Sequence, residues 1–169
     1  MIVNTERHLY DFLKRILTKE KLKSFCDGII DYDINIYRGF LPTNDFADRE
    51  NGNKTNNYFP FVLLRIVNFS QETIGINSYE APVDIEIWIG TKEEKEEDYI
   101  KNLALGDYIR QQLLSEVHKK GAFAVDVTKN FSVNFFSDKQ EPFFYSKIDF
   151  VVYGEPVEPI SNWEENKWI

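Results

Sequence analysis

The residues with the strongest claim to chemistry are Asp84 and Glu86, two carboxylates in the run Val83-Asp-Ile-Glu-Ile-Trp-Ile-Gly90. On a strand, a spacing of two points both side chains to one side, and paired carboxylates can hold Mg²⁺ for phosphodiester cleavage. A restriction-endonuclease-like site asks for more: an acidic residue, then Glu-x-Lys on an adjacent strand, so that metal and a water-activating amine meet. Glu86 is followed by Ile87 and Trp88, so that lysine is missing, and the literal matches at Glu93/Lys95 and Glu165/Lys167 lie outside the expected strands. A solvated strand face is the better reading, with a small metal-dependent nuclease as the enzymatic alternative.

No other constellation competes. His8 and His118 have no metal-ligand spacing, and Cys26, the only cysteine, has no partner for a zinc site or an internal disulfide. It reads as a small core residue in a reducing compartment. None of the eight glycines builds a phosphate-cradling loop, a nucleophile elbow or a G-x-G-x-x-G turn. The expectation is a non-enzyme with no catalytic residue, no metal and no cofactor. The acidic run Glu93, Glu94, Glu96, Glu97 and Asp98 has a modest reading of its own. Negative charge at the positive end of a helix dipole contributes about 0.3–1 kcal/mol per well-placed residue.

The elements that must carry these residues are legible from periodicity. Leu9, Leu13, Ile16 and Leu17, with Phe12, fall on one side of a 3.6-residue repeat and predict a first helix to about Lys23, capped by Asn4 or Thr5. Ile30, Tyr32, Ile34, Ile36 and Phe40 alternate with polar residues and predict a half-exposed strand. Phe61 to Phe69 reads as a strand buried on both faces, with Pro60 at its start, and Val83 to Ile89 as a strand with one apolar face. Thr91 and Glu94 suggest a capping box before a second helix, whose stripe is Tyr99, Leu103, Gly106, Leu113, Leu114 and Val117. Gly106 permits close approach to a sheet, and Lys119-Lys-Gly121 is a stop signal. Three further strands are expected at Phe123–Val127, Phe131–Phe136 and Phe143–Tyr153.

The resulting fold class is α+β: a mostly antiparallel or mixed sheet of about five to six strands packed by two helices. Residues 1–154 form one domain, interrupted by a long polar loop at 42–58 that carries Phe46 and Arg49. Residues 155–169, with Trp163 and Trp168, form an extended C-terminal arm.

Bulk properties narrow the function classes. A chain of 169 residues with 43% hydrophobic content can fill the core of one domain, while 14 Phe and 9 Tyr suit subunit contacts as well as cores. The formal charge of −8, without a basic stripe, argues against a nucleic-acid clamp. With no 18-residue apolar span and no basic-then-apolar leader at Met1-Ile-Val-Asn-Thr-Glu-Arg, the chain is expected to be soluble and not exported.

Three landmarks together resemble the tail-terminator, or tail-completion, proteins of long-tailed bacteriophages and phage-tail-like particles. Pro60-Phe-Val-Leu-Leu-Arg65 is similar to the family's P-F-V-h-V-R strand, where h is apolar. Val83-Asp-Ile-Glu-Ile-Trp-Ile-Gly-Thr91, the acidic stretch and Ile109-Arg-Gln-Gln-Leu113 are similar to h-x-h-x-I-G-T-Y-D-E-D, a helix and I-R-x-x-L. Asp138-Lys-Gln-Glu-Pro-Phe-Phe144 stands where the family shows E-x-Q-P-Y-P-Y, without its second proline, and Lys92 replaces the aromatic after Gly-Thr.

The resemblance, which covers roughly residues 60–160, implies a structural virion protein assembled in the bacterial cytoplasm. It would form a ring, usually a homo-hexamer, on the head-proximal end of the tail tube, ending tube growth and offering a joining surface. Its partners would be itself, the tail tube protein and sheath, neck or connector proteins, with no membrane and no specific nucleic acid, though DNA would pass through the ring. Six copies at −8 each would carry −48, which lets a genome slide without sticking. On this reading Asp84, Glu86, Trp88 and the Glu93 to Asp98 run belong to the lumen or the tube-facing surface. Phe46, Arg49, Trp163 and Trp168 belong to contacts with neighbours. Another neck or connector protein of the same particle is the alternative within this class.

Overall fold

The computed structural model describes residues 1–42, 59–92, 95, 99–115, 123–136 and 143–159. Among these, three helices pack on one face of a mixed five-stranded sheet, and a separate two-stranded hairpin stands beside it, so the α+β expectation holds. Helix α1 (Ile2–Ile16) buries Leu9, Phe12, Leu13 and Ile16, the stripe that the 3.6 repeat marked. It starts at Ile2, ahead of the expected caps Asn4 and Thr5.

The first helix also does not run unbroken to Lys23. The chain turns extended at Thr18 (φ −80°, ψ 144°), and α2 (Lys19–Phe25) begins there with the Lys21 N–H donating to Thr18 Oγ1 at 3.4 Å. Carbonyls left over at the break are taken up elsewhere: Tyr108 Oη donates to Ile16 O at 2.7 Å, and Lys21 Nζ to Arg15 O at 2.8 Å. The bend lets Leu17, Leu22, Cys26 and Ile30 all reach the core.

The sheet runs β1 (Asn35–Arg38), β2 (Phe61–Phe69), β5 (Pro82–Lys92), β7 (Phe143–Tyr153), β6 (Ser132–Phe135). Only the β1/β2 pair is parallel. The expected strand from Ile30 to Phe40 shrinks to four residues. Asn35 donates to the Pro60 carbonyl, but Pro60 has no N–H to return, so the ladder stops there while Ile30, Tyr32 and Ile34 still pack on the core as coil. Phe123–Val127 is likewise not a strand; Val125 makes a single bridge to Val152. Phe61 to Leu64 are buried on both faces as expected, but the strand emerges toward Val67 and Phe69, which are exposed.

Helix α3 (Tyr99–Ser115) covers the sheet with Asn102, Leu105, Gly106, Ile109 and Leu113, so the predicted stripe is shifted: Tyr99 and Leu103 are exposed. A methyl group on Gly106 would lie 3.3 Å from Val133 Cγ1 and 3.8 Å from Ile89 Cδ1, so the helix does approach the sheet closely at that residue. Thr91 is not a helix cap. It lies near the end of β5, fully buried, and its Oγ1 accepts from Asn102 Nδ2 at 3.1 Å. The hairpin of β3 (Glu72–Gly75) and β4 (Ser78–Glu80) was not foreseen.

Candidate functional site

Because side chains alternate along a strand, the helices claim Val83, Ile85, Ile87 and Ile89 of β5 and leave Asp84, Glu86 and Trp88 on the opposite face. Cross-strand register then decides their neighbours. Glu86 sits between Arg65 on β2 and Asp149 on β7, and Trp88 beside Lys147.

The geometry shows a closed charge ladder. Arg65 donates to Glu86 Oε2 at 2.8 Å, Trp88 Nε1 donates to the same oxygen at 3.0 Å, and Lys147 Nζ lies 3.7 Å from Oε1. Lys147 also reaches Asp149 at 3.3 Å and lies over the Trp88 ring, 5.6 Å from its centroid. Trp88 stacks on Phe136 with centroids 5.3 Å apart and planes within 1°. Burial acts to raise the Glu86 carboxyl, but hydrogen bonds from Trp88 and Arg65 and the charges of Arg65 and Lys147 outweigh it and hold the group below the usual carboxylate range. Asp84 accepts from Asn68 Nδ2 at 3.2 Å.

The lysine missing two residues after Glu86 is therefore present in space as Lys147, brought by β7. Glu86 already has Arg65 and Trp88 on one oxygen and Lys147 near the other. With Asp84 beside them, three anions, Asp84, Glu86 and Asp149, stand against two cations, Arg65 and Lys147, so a cation would compete with existing pairs for Glu86. Among the described residues no three His, Cys, Asp or Glu side chains gather as ligands. Cys26 is buried; that burial, reinforced by the charges of Asp27 and Asp107, pushes its thiol up, away from reactivity.

At one end of the same face the ladder meets an aromatic group. Phe59 contacts Phe61, Phe143 and Tyr145 with centroids 5.0, 4.8 and 5.8 Å away, and the Phe61 ring lies over Gly90. Any side chain at Gly90 would overlap that ring. At the opposite end, Asp126, a buried carboxylate that sequence reasoning passed over, accepts from Thr128 N at 3.0 Å, Thr128 Oγ1 at 2.6 Å and Tyr153 Oη at 2.9 Å. Burial would raise its carboxyl, but these bonds and the charge of Lys129 keep it low; the group closes a turn.

Of the residues singled out from sequence, the structure thus joins Glu86 and Trp88 in one network and sets Asp84 beside it. Phe46, Arg49, Glu93, Glu94, Glu96, Glu97, Asp98, Trp163 and Trp168 lie outside the described residues. The first part of the C-terminal arm lies along its own chain: Gln71 Nε2 donates to Val157 O at 2.8 Å, Val157 N donates back to Gln71 Oε1 at 2.6 Å, and the Met1 amine pairs with Glu155 at 3.1 Å. Arg65, Lys147, Asp149 and Phe136 were missed because only register brings them to Glu86. Among the described residues no helix is long and apolar enough to cross a membrane. No protein-family model matches the chain, and no curated protein sequence matches it.

Proposed function

We propose that the chain is a structural ring-forming protein of the tail-completion kind, capping the head-proximal end of a phage or phage-like tail tube. The observation that carries this reading is the convergence of the three resembling segments. Pro60–Arg65, Val83–Thr91 and the stretch ending in Phe143-Phe144 are far apart in sequence, yet they contribute the adjacent strands β2, β5 and β7. Residues of these segments lie together at one end of the sheet, where Phe61 opposes Gly90 and Thr91 opposes Phe144. Segments that define one structural unit are expected to meet in this way.

The charge ladder supports the same reading. Glu86 is committed to Arg65, Trp88 and Lys147, an arrangement that makes a rigid polar sheet face and leaves little for catalysis. The subunit's shape suits a scaffold: one sheet face is covered by helices, and the other presents a patterned surface.

The test is the mass of the full chain in solution and its appearance by electron microscopy. The expected result is a ring of six 20.0-kDa chains, about 120 kDa, alone or on added tail tubes. The nuclease alternative draws on Lys147 beside Glu86 and makes an opposite demand. Mg²⁺- or Mn²⁺-dependent DNA cleavage that disappears in Asp84→Ala and Glu86→Ala would overturn the structural assignment.

A further inference from the structure

Between the start of α1 and the neighbouring ends of β2 and β5 lies a pocket of about 390 Å³. Its apolar walls include Ile2, Phe69, Ala81 and Val83, and the first residues of the C-terminal arm close one side with Val157. Met1, Phe69 and Val157 stand at 77, 61 and 71% exposure around it, so the apolar rim is uncovered among the described residues. A pocket of this size and lining takes a large flat apolar group.

The arm is delivered to this pocket in a fixed direction. Gly154 N donates to Ala81 O at 2.7 Å, and any side chain at Gly154 would collide with that carbonyl. Three residues on, the Gln71 amide meets both backbone groups of Val157, gripping the arm as a neighbouring strand would. The continuation, Ile160-Ser-Asn-Trp163-Glu-Glu-Asn-Lys-Trp168-Ile169, lies outside the described residues. Its first aromatic residue is Trp163, six positions beyond Val157, a reach of up to about 20 Å. Pro159, Ser161 and Asn162 between them are residues that favour a reversal of the chain. A tether this short, fastened at the pocket wall, gives Trp163 a high local concentration that no free partner matches.

Charge favours the same occupant. The first turn of α1 carries no acidic residue and no side-chain cap, although the positive end of its dipole borders the pocket at Met1, Ile2 and Thr5. Glu155 already meets the Met1 amine there at 3.1 Å. Glu164 and Glu165 follow Trp163 directly and bring two more anions to that end.

We infer that Trp163 of the same chain fills the pocket between α1, β2 and β5, folding the arm back with Glu164 and Glu165 at the start of α1. An indole buried there would cover the exposed faces of Phe69 and Val157. The pocket is filled within one chain, so the outcome does not depend on whether chains assemble.

The test uses the full chain and the dye anilinonaphthalene sulfonate, which fluoresces on uncovered apolar surface. Trp163→Ser should raise dye fluorescence several-fold with unchanged circular dichroism, and Trp168→Ser should leave it at the parent level. Adding Ala81→Leu to the Trp163→Ser chain should remove the extra signal by filling the pocket. A chain carrying both Thr5→Cys and Glu164→Cys should oxidise to a link within one 20.0-kDa chain, with buried Cys26 taking no part.

Dye binding unchanged by Trp163→Ser, together with no link within the chain, overturns the inference. A rise with Trp168→Ser in place of Trp163→Ser overturns the assignment to Trp163. A link that forms only between chains overturns docking within the chain and assigns the arm to a neighbour.

Discussion

At the scale of single residues, Glu86 is where a catalytic interpretation and a structural one diverge most sharply. Its carboxylate is held by Arg65, Trp88 and Lys147 on a face where its own side chain is only 14% exposed. Glu86→Ala would leave Arg65 and Lys147 without their shared counter-charge, and a loss of about 1–2 kcal/mol in denaturant unfolding is expected. The pH dependence has a definite sign. Because the folded-state pKa is lowered, the stabilisation is present above the unfolded carboxylate value and is lost as pH falls through the lower folded value. The stability gap between the parent chain and Glu86→Gln should therefore be full at neutral pH and close in the acid range. A gap that widens on acidification would contradict the ladder. Gly90 makes a second prediction at this scale. With the Phe61 ring seated over its Cα, Gly90→Ala should cost about 1–3 kcal/mol in thermal or denaturant melts, and Phe61→Leu in the same chain should recover part of it. Sequence periodicity placed Asp84, Glu86 and Trp88 on one face but could not supply their partners. Those come from β2 and β7, some 20 and 60 positions away, and depend on strand register, which leaves no mark in a single sequence.

Among the elements, what was legible followed from strict periodicity, and what was not followed from competition between local signals and packing. β5 was readable because Val83, Ile85, Ile87 and Ile89 alternate without interruption, β7 because Ile148, Phe150 and Val152 fall at every second position, and α1 because its stripe is regular. The break at Thr18 was hidden by the continuity of Leu17 and Leu22, although Thr18 with Glu20 in the next turn is an N-terminal signal. Thr18→Ala should cost about 0.5–1 kcal/mol, at the low end for a helix cap because the Lys21 N–H reaches Oγ1 only at 3.4 Å. The stripe of α3 was misplaced by a different competition. Buried Asn102 takes an inward position through its bonds to Thr91 Oγ1 and the Phe144 carbonyl, which turns Tyr99 and Leu103 outward. Gly106 was correctly read as a contact point. Gly106→Leu should push α3 off Val133 and Phe135 and cost about 1–3 kcal/mol, while Gly106→Ala should be near neutral, its gain in helix propensity of about 1 kcal/mol set against the 3.3 Å contact. The β3–β4 hairpin was missed because its strands are three and four residues long and its apolar residues face water, opposite to the pattern that marks a strand of the core.

At the scale of the whole molecule the governing quantity is charge. Each chain carries a formal −8, so a ring of six would gather −48 within one particle, and that repulsion opposes assembly over distances set by the ionic strength. The Debye length falls from about 30 Å at 0.01 M salt to about 8 Å at 0.15 M, which is shorter than the span of a subunit. Apolar contacts between subunits are not screened. Association should therefore strengthen as salt rises from 0.01 to 0.15 M, read as a growing fraction of high-mass species in sedimentation at fixed protein concentration. An interface built on ion pairs would weaken over the same range, and so would binding to DNA phosphates, where each neutralised phosphate steepens the loss. Assembly that declines with added salt would thus count against the repulsive ring, and would return attention to the charged sheet face around Glu86 as the surface that binds.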